Sequence, residues 1–358
     1  MQVHERLLDE TTPADVPTLP DSGCVGARLT DGYPGSVTGD AETEPVRKGE
    51  RRPFCAAASG ARNEPLTATA SRIDQWILVE YRGAWSRDLL GGSLLSPRLK
   101  AHLREQLAAL RPSRLLFVKR PDRRTATGRK VYLATSKPGA ERLLGLEIEH
   151  QDDLHDVDLA GALSAGTASM AAPFSELDEQ LLVVCTHGKR DRCCAREGRP
   201  LFDAIRDAEP LGGAWQSTHV GGDRFAGNVV SLPHGTYHGR VEPADVPGLL
   251  AALAAGRVDL DRYRGRSAYP FAVQAAERAL RESEGLLGLD EVVLTGSVRK
   301  APDAWSVRFR TPDGASHALD VHTEAAEDAA LLTCDAREPR RPLRYGVTAH
   351  RVRGRGRS

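Results

Sequence analysis

The stretch ELDEQLLVVCTHGKRDRCCAREGRPLFDAIRDA, residues 176–208, decides the fold of the central region. Its apolar run predicts a buried strand that ends at Cys185, and RPLFDAIRDA predicts a short helix over residues 199–208. An Arg-rich loop, residues 189–196, lies between them. The carboxyl ends of parallel strands are where α/β sheets bind ligands, so the stretch predicts a thiol site at a sheet edge.

The same pattern continues on both sides of this stretch. Downstream, WQSTHVGGDRFAG (215–227) predicts a strand running into a glycine loop, NVVSLPHGTYHGRV (228–241) a hairpin, and ADVPGLLAALAAG (244–256) a helix. Upstream, residues 75–81, 96–111, 113–120 and 129–135 read as strand, helix, strand and strand, with Ser96 as the helix N-cap. The fold class is therefore α/β, and the two regions are interpreted as pseudo-repeated units.

The remaining segments complete the predicted organisation. A long helix over 267–285 followed by three alternating strands predicts a small α+β C-terminal region with an antiparallel sheet. The first residues are polar and aperiodic, which is typical of a disordered tail. The predicted segments are a tail at 1–52, α/β units at 53–172 and 173–262, the C-terminal region at 263–347, and a basic tail at 348–358.

Bulk composition excludes several classes of function. Lys+Arg and Asp+Glu both number 49, so no net field favours nucleic acid or an anionic membrane. No stretch approaches the ~20 apolar residues of a membrane span, and the start of the chain lacks the apolar core of a secretory signal. We expect a soluble, cytoplasmic protein, and its oligomeric state stays open. Clustered cysteines in a reducing compartment indicate metal or redox chemistry.

Four residues form the predicted metal site. Cys185 and Cys194 are separated by eight residues, and the basic loop between them favours the thiolates that bind metals. His219 ends the next predicted strand, and Asp223 follows it across a Gly-Gly turn. Two thiolates, an imidazole and a carboxylate would fill four ligand positions, on zinc or on an iron–sulfur cluster.

Other thiols and imidazoles are weaker candidates. The alternative ligands are Cys193, His187, His234 and His238. His234 and His238 flank the predicted hairpin turn, so the simplest interpretation places them on the surface. Cys24, Cys55 and Cys334 are expected to be isolated thiols without a role in the site.

The motifs VVCTHGKRDRCC and STHVGGDRFAGNVVSLPHGTYHGRV resemble the sucraseferredoxin-like family. That resemblance implies a thioredoxin-like fold that holds a [2Fe-2S] cluster, with two Cys on one iron and two His of a His-Val-Gly-Gly-His pattern on the other. Carried over by position, the ligands are Cys185, Cys194 and His219. Asp223 stands where the family has its second His. Either Asp223 ligates iron, another side chain replaces it, or the cluster is lost.

The resemblance implies an electron carrier rather than a stand-alone enzyme. Its partner would be a redox donor or acceptor protein that the sequence does not identify. Two alternatives stay open: a zinc-binding structural or regulatory protein using the same residues, and a cluster-less interaction module. A thiol enzyme is disfavoured because the chain lacks a C-x-x-C motif at these cysteines.

Overall fold

The computed structural model describes residues 36–37, 53–120, 127–164, 173–208 and 213–354. Most of the predicted N-terminal tail therefore lies outside the described residues. The two residues of it that are described form a short strand, β1 (Ser36–Val37). Across the described residues, no helix combines the length and apolar composition that crossing a bilayer requires.

The first half of the fold has the predicted β-α-β-β order, extended by further strands. Its elements are α1 (Cys55–Ala61), β2 (Gln75–Glu80), α2 (Pro97–Ala109), β3 (Ser113–Lys119), β4 (Arg129–Thr135), β5 (Arg142–Ile148), α3 (Leu159–Ser164) and β6 (Ser175–Glu176). Strand β2 pairs parallel with β3 and antiparallel with β4. The predicted N-cap is confirmed, since the Leu99 amide donates to the Ser96 hydroxyl at 3.3 Å.

The second half repeats this order of connections. Its elements are β7 (Leu181–Cys185), α4 (Arg192–Ala208), β8 (Ala214–Ser217), β9 (Val229–Leu232), β10 (Thr236–His238), α5 (Val246–Ala254) and β11 (Tyr263–Arg266). Strand β7 pairs parallel with β8 and antiparallel with β9, while β10 lies between β9 and β11. Short 3₁₀ turns occupy Gln151–Asp156, Asp223–Phe225, Pro243–Asp245 and Leu289–Glu291.

Both halves belong to one ten-stranded sheet, ordered β11-β10-β9-β7-β8-β3-β2-β4-β5-β6. They meet where β3 and β8 pair antiparallel, with Val118 opposite Ser217. Outward from the β3–β8 pair, the two halves have the same order of strands and the same pairing directions. One half reads β3-β2-β4-β5 and the other β8-β7-β9-β10. The fold is thus mixed α/β, with helices packed on a large sheet that spans both halves.

The C-terminal region forms a second, antiparallel sheet. Its elements are α6 (Phe271–Glu284), β12 (Val293–Ala301), β13 (Ala304–Arg310), β14 (Ser316–Ala325) and β15 (Arg341–Arg353), and β1 adds to the β15 edge. Helix α6 ends at Gly285, whose φ of +70° is the left-handed conformation that closes helices. The predicted basic tail from 348 differs from the structure, because residues 348–353 lie within β15 and residues 349–353 pair with β14.

Helix α4 begins seven residues before the predicted start at residue 199, so the predicted loop 189–196 is largely helical. A helix that began at residue 199 would have Pro200 in its first turn, where proline is most common. Instead Pro200 lies inside the helix, and Asp191 caps its start by accepting the Cys193 amide at 2.8 Å. The correction places Cys193 and Cys194 in the first turn of α4.

Close packing holds α4 against the end of β7. A Cβ on Gly198 would lie 2.0 Å from the Cys185 carbonyl oxygen, so the helix and the strand are in backbone contact with no room for a side chain between them. We expect Gly198→Ala to lower the free energy of unfolding by about 1–3 kcal/mol, because the backbone must shift. Gly248→Ala in α5 meets no atom within 4 Å and is the control, expected to add about 0.5–1 kcal/mol. Urea unfolding measures both, and an equal effect of the two variants would contradict this packing.

Candidate metal centre

The candidate centre lies at the carboxyl edge of the parallel pair β7–β8. Cys185 is the last residue of β7 and pairs with Ser217, the last residue of β8. The loop after β8 therefore starts beside Cys185 and carries His219 and Asp223. Helix α4 begins at the same edge and supplies Cys194. Three separate segments thus deliver the four predicted ligands to one place.

The four side chains are in contact or nearly so. Ligand atoms of Cys185, Cys194 and His219 all lie within 4.8 Å of one another. The Cys194 Sγ lies 3.8 Å from the His219 Nδ1 and 3.3 Å from an Asp223 carboxylate oxygen. The same carboxylate oxygen lies 3.0 Å from the His219 Nδ1. Both thiols and Asp223 are buried, while the His219 side chain keeps 14% of its surface exposed.

The pKa values of the two thiols are shifted in opposite directions. A hydrogen bond from Cys194 lowers the pKa of Cys185 well below its usual value, and His219 lowers it further, against the opposing effect of burial. The same hydrogen bond raises the pKa of Cys194, as does burial. Thiolates are the metal-binding form of cysteine, so a metal at this site would bind Cys185 readily and would displace a proton from Cys194.

Burial and mutual charge also shift the other two groups. Burial alone would lower the pKa of His219, but the negative charges of Asp223 and Cys185 outweigh it and raise that pKa. Burial raises the pKa of Asp223, although His219 opposes the shift. The imidazole and the carboxylate therefore stabilise each other as a pair, facing the two sulfurs.

The loop between His219 and Asp223 needs its glycines. Gly221 and Gly222 have φ angles of +104° and +82°, which side chains other than glycine rarely adopt. A Cβ on Gly222 would also lie 2.3 Å from the Arg264 guanidinium. The two glycines let the chain reverse, so that both ligands lie on one side of the loop.

Buried donors fix the carbonyl groups of this loop. The Tyr237 hydroxyl donates to the Val220 carbonyl at 2.9 Å, and Arg264 donates to the Gly221 carbonyl at 3.1 Å. Asn228 accepts from the same guanidinium at 2.7 Å and donates to the Gly222 carbonyl at 2.9 Å. Such outer contacts hold ligands in position for a metal. The sequence interpretation missed Arg264 and Asn228, because both contact the loop from segments outside it.

The alternative ligands lie elsewhere. The His187 ring is buried against Trp85, and its Nε2 lies 3.0 Å from the Ser86 carbonyl. Cys193 directs its sulfur away from Cys194, into a separate group of thiols. Neither belongs to the group formed by Cys185, Cys194 and His219.

The surface interpretation of the hairpin histidines is wrong for His238. His238 is fully buried because β10 is covered by β11, and its ring packs against Tyr263. His234, at the turn, is half-buried. Among the described residues, neither ring nitrogen of His238 has a hydrogen-bond partner. His238 is thus a core residue.

His238 makes folding sensitive to acid. Burial, with a contribution from Arg264, lowers its pKa from 6.5 to about 3. Below pH 6.5 His238 binds a proton in the unfolded chain but not in the folded chain. The contribution of neutral His238 to the free energy of unfolding is therefore complete above pH 6.5 and falls as the pH drops toward 3. The loss from this residue at pH 5 is about 2 kcal/mol. We expect His238→Phe to flatten the stability profile between pH 6.5 and 4, measured by urea unfolding; an unchanged slope would contradict this origin.

A second buried group of thiols lies beside the first. Cys55, Cys193, Cys334 and Asp191 bring ligand atoms within 4.8 Å of one another. The expectation that Cys55 and Cys334 are isolated thiols is therefore wrong. The contacts join residues far apart in sequence, and nothing in the local pattern around either cysteine signals them.

Comparison with known proteins gives matches of three kinds. The model of the family described as sucrase/ferredoxin-like matches residues 66–265. Altered inheritance of mitochondria protein 32 of Meyerozyma guilliermondii is 38% identical over 104 residues, 26% of this chain and 37% of that protein. The protein of the same name from Eremothecium gossypii is 30% identical over 120 residues, 29% of this chain and 37% of its own length.

Solved structures also match part of the chain. Two Cys-to-Ser variants of the thioredoxin-like [2Fe-2S] ferredoxin from Aquifex aeolicus each show 20% identity and a TM-score of 0.22. Each covers 25% of this chain and 100% of the ferredoxin chain. The chain spans 37% of the length of each curated relative, well under two thirds.

Proposed function

Because the chain belongs to the sucrase/ferredoxin-like family, we propose that it is a one-electron carrier that binds a [2Fe-2S] cluster at the β7–β8 edge. The observation that carries the proposal is the convergence of two buried thiols with an imidazole–carboxylate pair. Thiolate and imidazole are the ligands of such clusters when histidine replaces cysteine on one iron. The family and the site chemistry therefore favour the same cofactor.

Cys185 and Cys194 would hold one iron, and His219 and Asp223 the other. The donor set suits this division, because the thiols contact each other while the His219 Nδ1 and Asp223 oxygen lie 3.0 Å apart. Two ligands of one metal ion lie about this far apart when metal–ligand bonds are about 2 Å. Asp223 thus takes the position of a second imidazole and adds a negative charge.

The bound cluster would supply a centre that gains and loses a single electron. The chain's own residues bury the two thiols and leave 14% of the His219 side chain exposed, so His219 would be the ligand nearest to a redox partner. Exposed Lys189 and Arg192 flank the turn between the two cysteines. Their charge favours an acidic redox partner.

We also propose a fold for the two halves of the sheet and a location for the protein. We take the two matching halves of the sheet as pseudo-repeated thioredoxin-like units, of which the second carries the site. The cytoplasmic location stays a prediction, and the curated relatives are named for mitochondrial inheritance.

Iron and acid-labile sulfide analysis tests the proposal. The full chain is purified without air, its visible spectrum recorded, and both elements measured against protein. We expect near-equal iron and sulfide, about two of each per chain, with absorption between about 400 and 600 nm. A colourless chain without iron, even after anaerobic reconstitution, would contradict it.

Zinc in the same four ligands is the second candidate, and one observation favours it. The Cys194 Sγ lies only 3.8 Å from the His219 Nδ1 and 3.3 Å from Asp223, which suits ligands of a single ion. A binuclear cluster would require the thiol pair and the imidazole–carboxylate pair to separate further. Zinc without iron in the parent, with less zinc in Cys185→Ser, would establish this alternative.

A further inference from the structure

The second thiol group draws its members from three distant segments. Cys55 is the first residue of α1, Cys193 lies in the first turn of α4, and Cys334 lies between β14 and β15. Asp191 precedes α4. All four are buried, at 5% exposure or less. Phe54 and Ala56 are among the apolar residues that pack against the group.

The three sulfurs form a compact triangle. The Sγ–Sγ distances are 3.6 Å for Cys55–Cys193, 3.4 Å for Cys193–Cys334 and 3.6 Å for Cys334–Cys55. Both Asp191 carboxylate oxygens lie 3.7 Å from the Cys55 Sγ. The four ligand atoms thus all lie within 4.8 Å of one another.

These distances match tetrahedral coordination of one ion. Zn–S bonds of 2.3 Å at tetrahedral angles separate two sulfurs by about 3.8 Å, and a sulfur from a carboxylate oxygen by about 3.6 Å. Ligands that bind different iron atoms of a cluster lie further apart, so a cluster would not bring all four ligands this close. A pair joined as a disulfide would lie at about 2 Å. The observed triangle fits a mononuclear site best.

Hydrogen bonds hold the ligands in this arrangement. The Asp191 carboxylate accepts the Cys193 amide at 2.8 Å and the Cys334 amide at 2.7 Å. The Ala56 amide lies 3.5 Å from the Cys193 sulfur, as a donor to a thiolate would. Outer contacts of this kind orient ligands in metal sites. The start of α4 adds the positive end of its dipole beside Cys193.

Charge supports the same conclusion. Burying thiolates and a carboxylate together is costly unless a cation compensates them. The guanidiniums of Arg192 and Arg196 lie 5.1 and 4.2 Å from the Phe54 ring, so they border the group without entering it. A divalent cation within the triangle would offset the negative charge of the thiolates and of Asp191.

We propose that Cys55, Cys193, Cys334 and Asp191 bind a structural zinc ion, separate from the centre at Cys185 and Cys194. Thiolate-rich, fully enclosed tetrahedral sites are typical of structural zinc, which keeps no position open for a substrate. The ion ties α1 and the C-terminal region to the start of α4. Because Cys194 follows Cys193 directly, the zinc ion also fixes the start of α4, which contributes Cys194 to the other centre.

Elemental analysis of matched variants tests the zinc site. The full chain is expressed with zinc and iron, and both metals are measured by mass spectrometry. We expect about one zinc per chain in the parent. Cys334→Ser should reduce zinc at least about tenfold and leave iron unchanged. Cys185→Ser is the reciprocal control and should lose iron while keeping zinc.

The outcomes separate the two sites. Zinc retained in Cys334→Ser but lost in Cys185→Ser would place zinc at the first centre and overturn the proposal. A disulfide between any two of the three cysteines in freshly purified protein would overturn it too. Zinc retained in Cys185→Ser with no iron in the parent would support the zinc site and refute the iron–sulfur function.

Cobalt binding keeps the test decisive if Cys334→Ser does not fold. Co²⁺ is added to metal-stripped Cys185→Ser protein, in which the first centre lacks a thiol ligand. We expect intense thiolate-to-cobalt absorption and the strong visible bands of tetrahedral cobalt, lost on adding zinc. Absence of these bands, in protein whose circular dichroism matches the parent's, would overturn the site.

Discussion

Cys194→Ser is expected to remove the iron–sulfur cluster, with iron and sulfide falling at least about tenfold and the visible bands lost. Its sulfur contacts Cys185, His219 and Asp223, so no other residue takes its place without moving α4. A serine hydroxyl keeps the size of the side chain but is a poor ligand for iron. Iron analysis and absorption spectra of anaerobically purified protein measure the effect.

Cys193→Ser tests the same assignment at the neighbouring residue. The Cys193 sulfur lies in the other thiol group, 3.6 Å from Cys55 and 3.4 Å from Cys334. We expect this variant to lose zinc and to keep the visible spectrum of the cluster. If instead Cys193→Ser abolished the cluster and Cys194→Ser preserved it, the ligand assignment would be reversed.

Asp223→His is expected to raise the midpoint potential of the cluster, on the order of 100 mV. The carboxylate is anionic and stabilises the oxidised cluster, whereas a neutral imidazole does not. The substitution also adds an ionisable imidazole, so the potential should become more dependent on pH. A spectroelectrochemical titration at several pH values measures both effects.

Asp223→Glu is the matched control for this prediction. It keeps the charge and the oxygen donor, so its potential should stay close to that of the parent, provided that iron content is equal. A potential of Asp223→His equal to or below the parent's, under matched conditions, would show that Asp223 is not a ligand.

The sequence predicted the local structure, and it predicted that the residues of the candidate centre lie close together, for physical reasons. The α2 boundary followed from Ser96, because capping is a local interaction that a few residues decide. Cys185, Cys194 and His219 were brought together by one rule, that loops after adjacent parallel strands meet at one sheet edge. Both inferences need only short stretches of sequence.

The parts that were missed depend on contacts between distant residues. Cys55 and Cys334 lie 279 positions apart, and no local pattern signals that they meet at Cys193. His238 was placed at the surface because it flanks the predicted hairpin turn, but β11 pairs with this strand and its Tyr263 packs against the ring. The predicted start of α4 at residue 199 was seven residues late, because the capping carboxylate of Asp191 lies earlier.

The most direct test of electron transfer at the β7–β8 edge is a redox titration of the anaerobically purified chain, followed by visible absorption and low-temperature EPR. We predict reversible reduction by a single electron, about 59 mV per tenfold change in the oxidised-to-reduced ratio, and a paramagnetic reduced state that is lost in Cys194→Ser. A colourless, EPR-silent protein with zinc bound at Cys185 and Cys194 would contradict the proposed function.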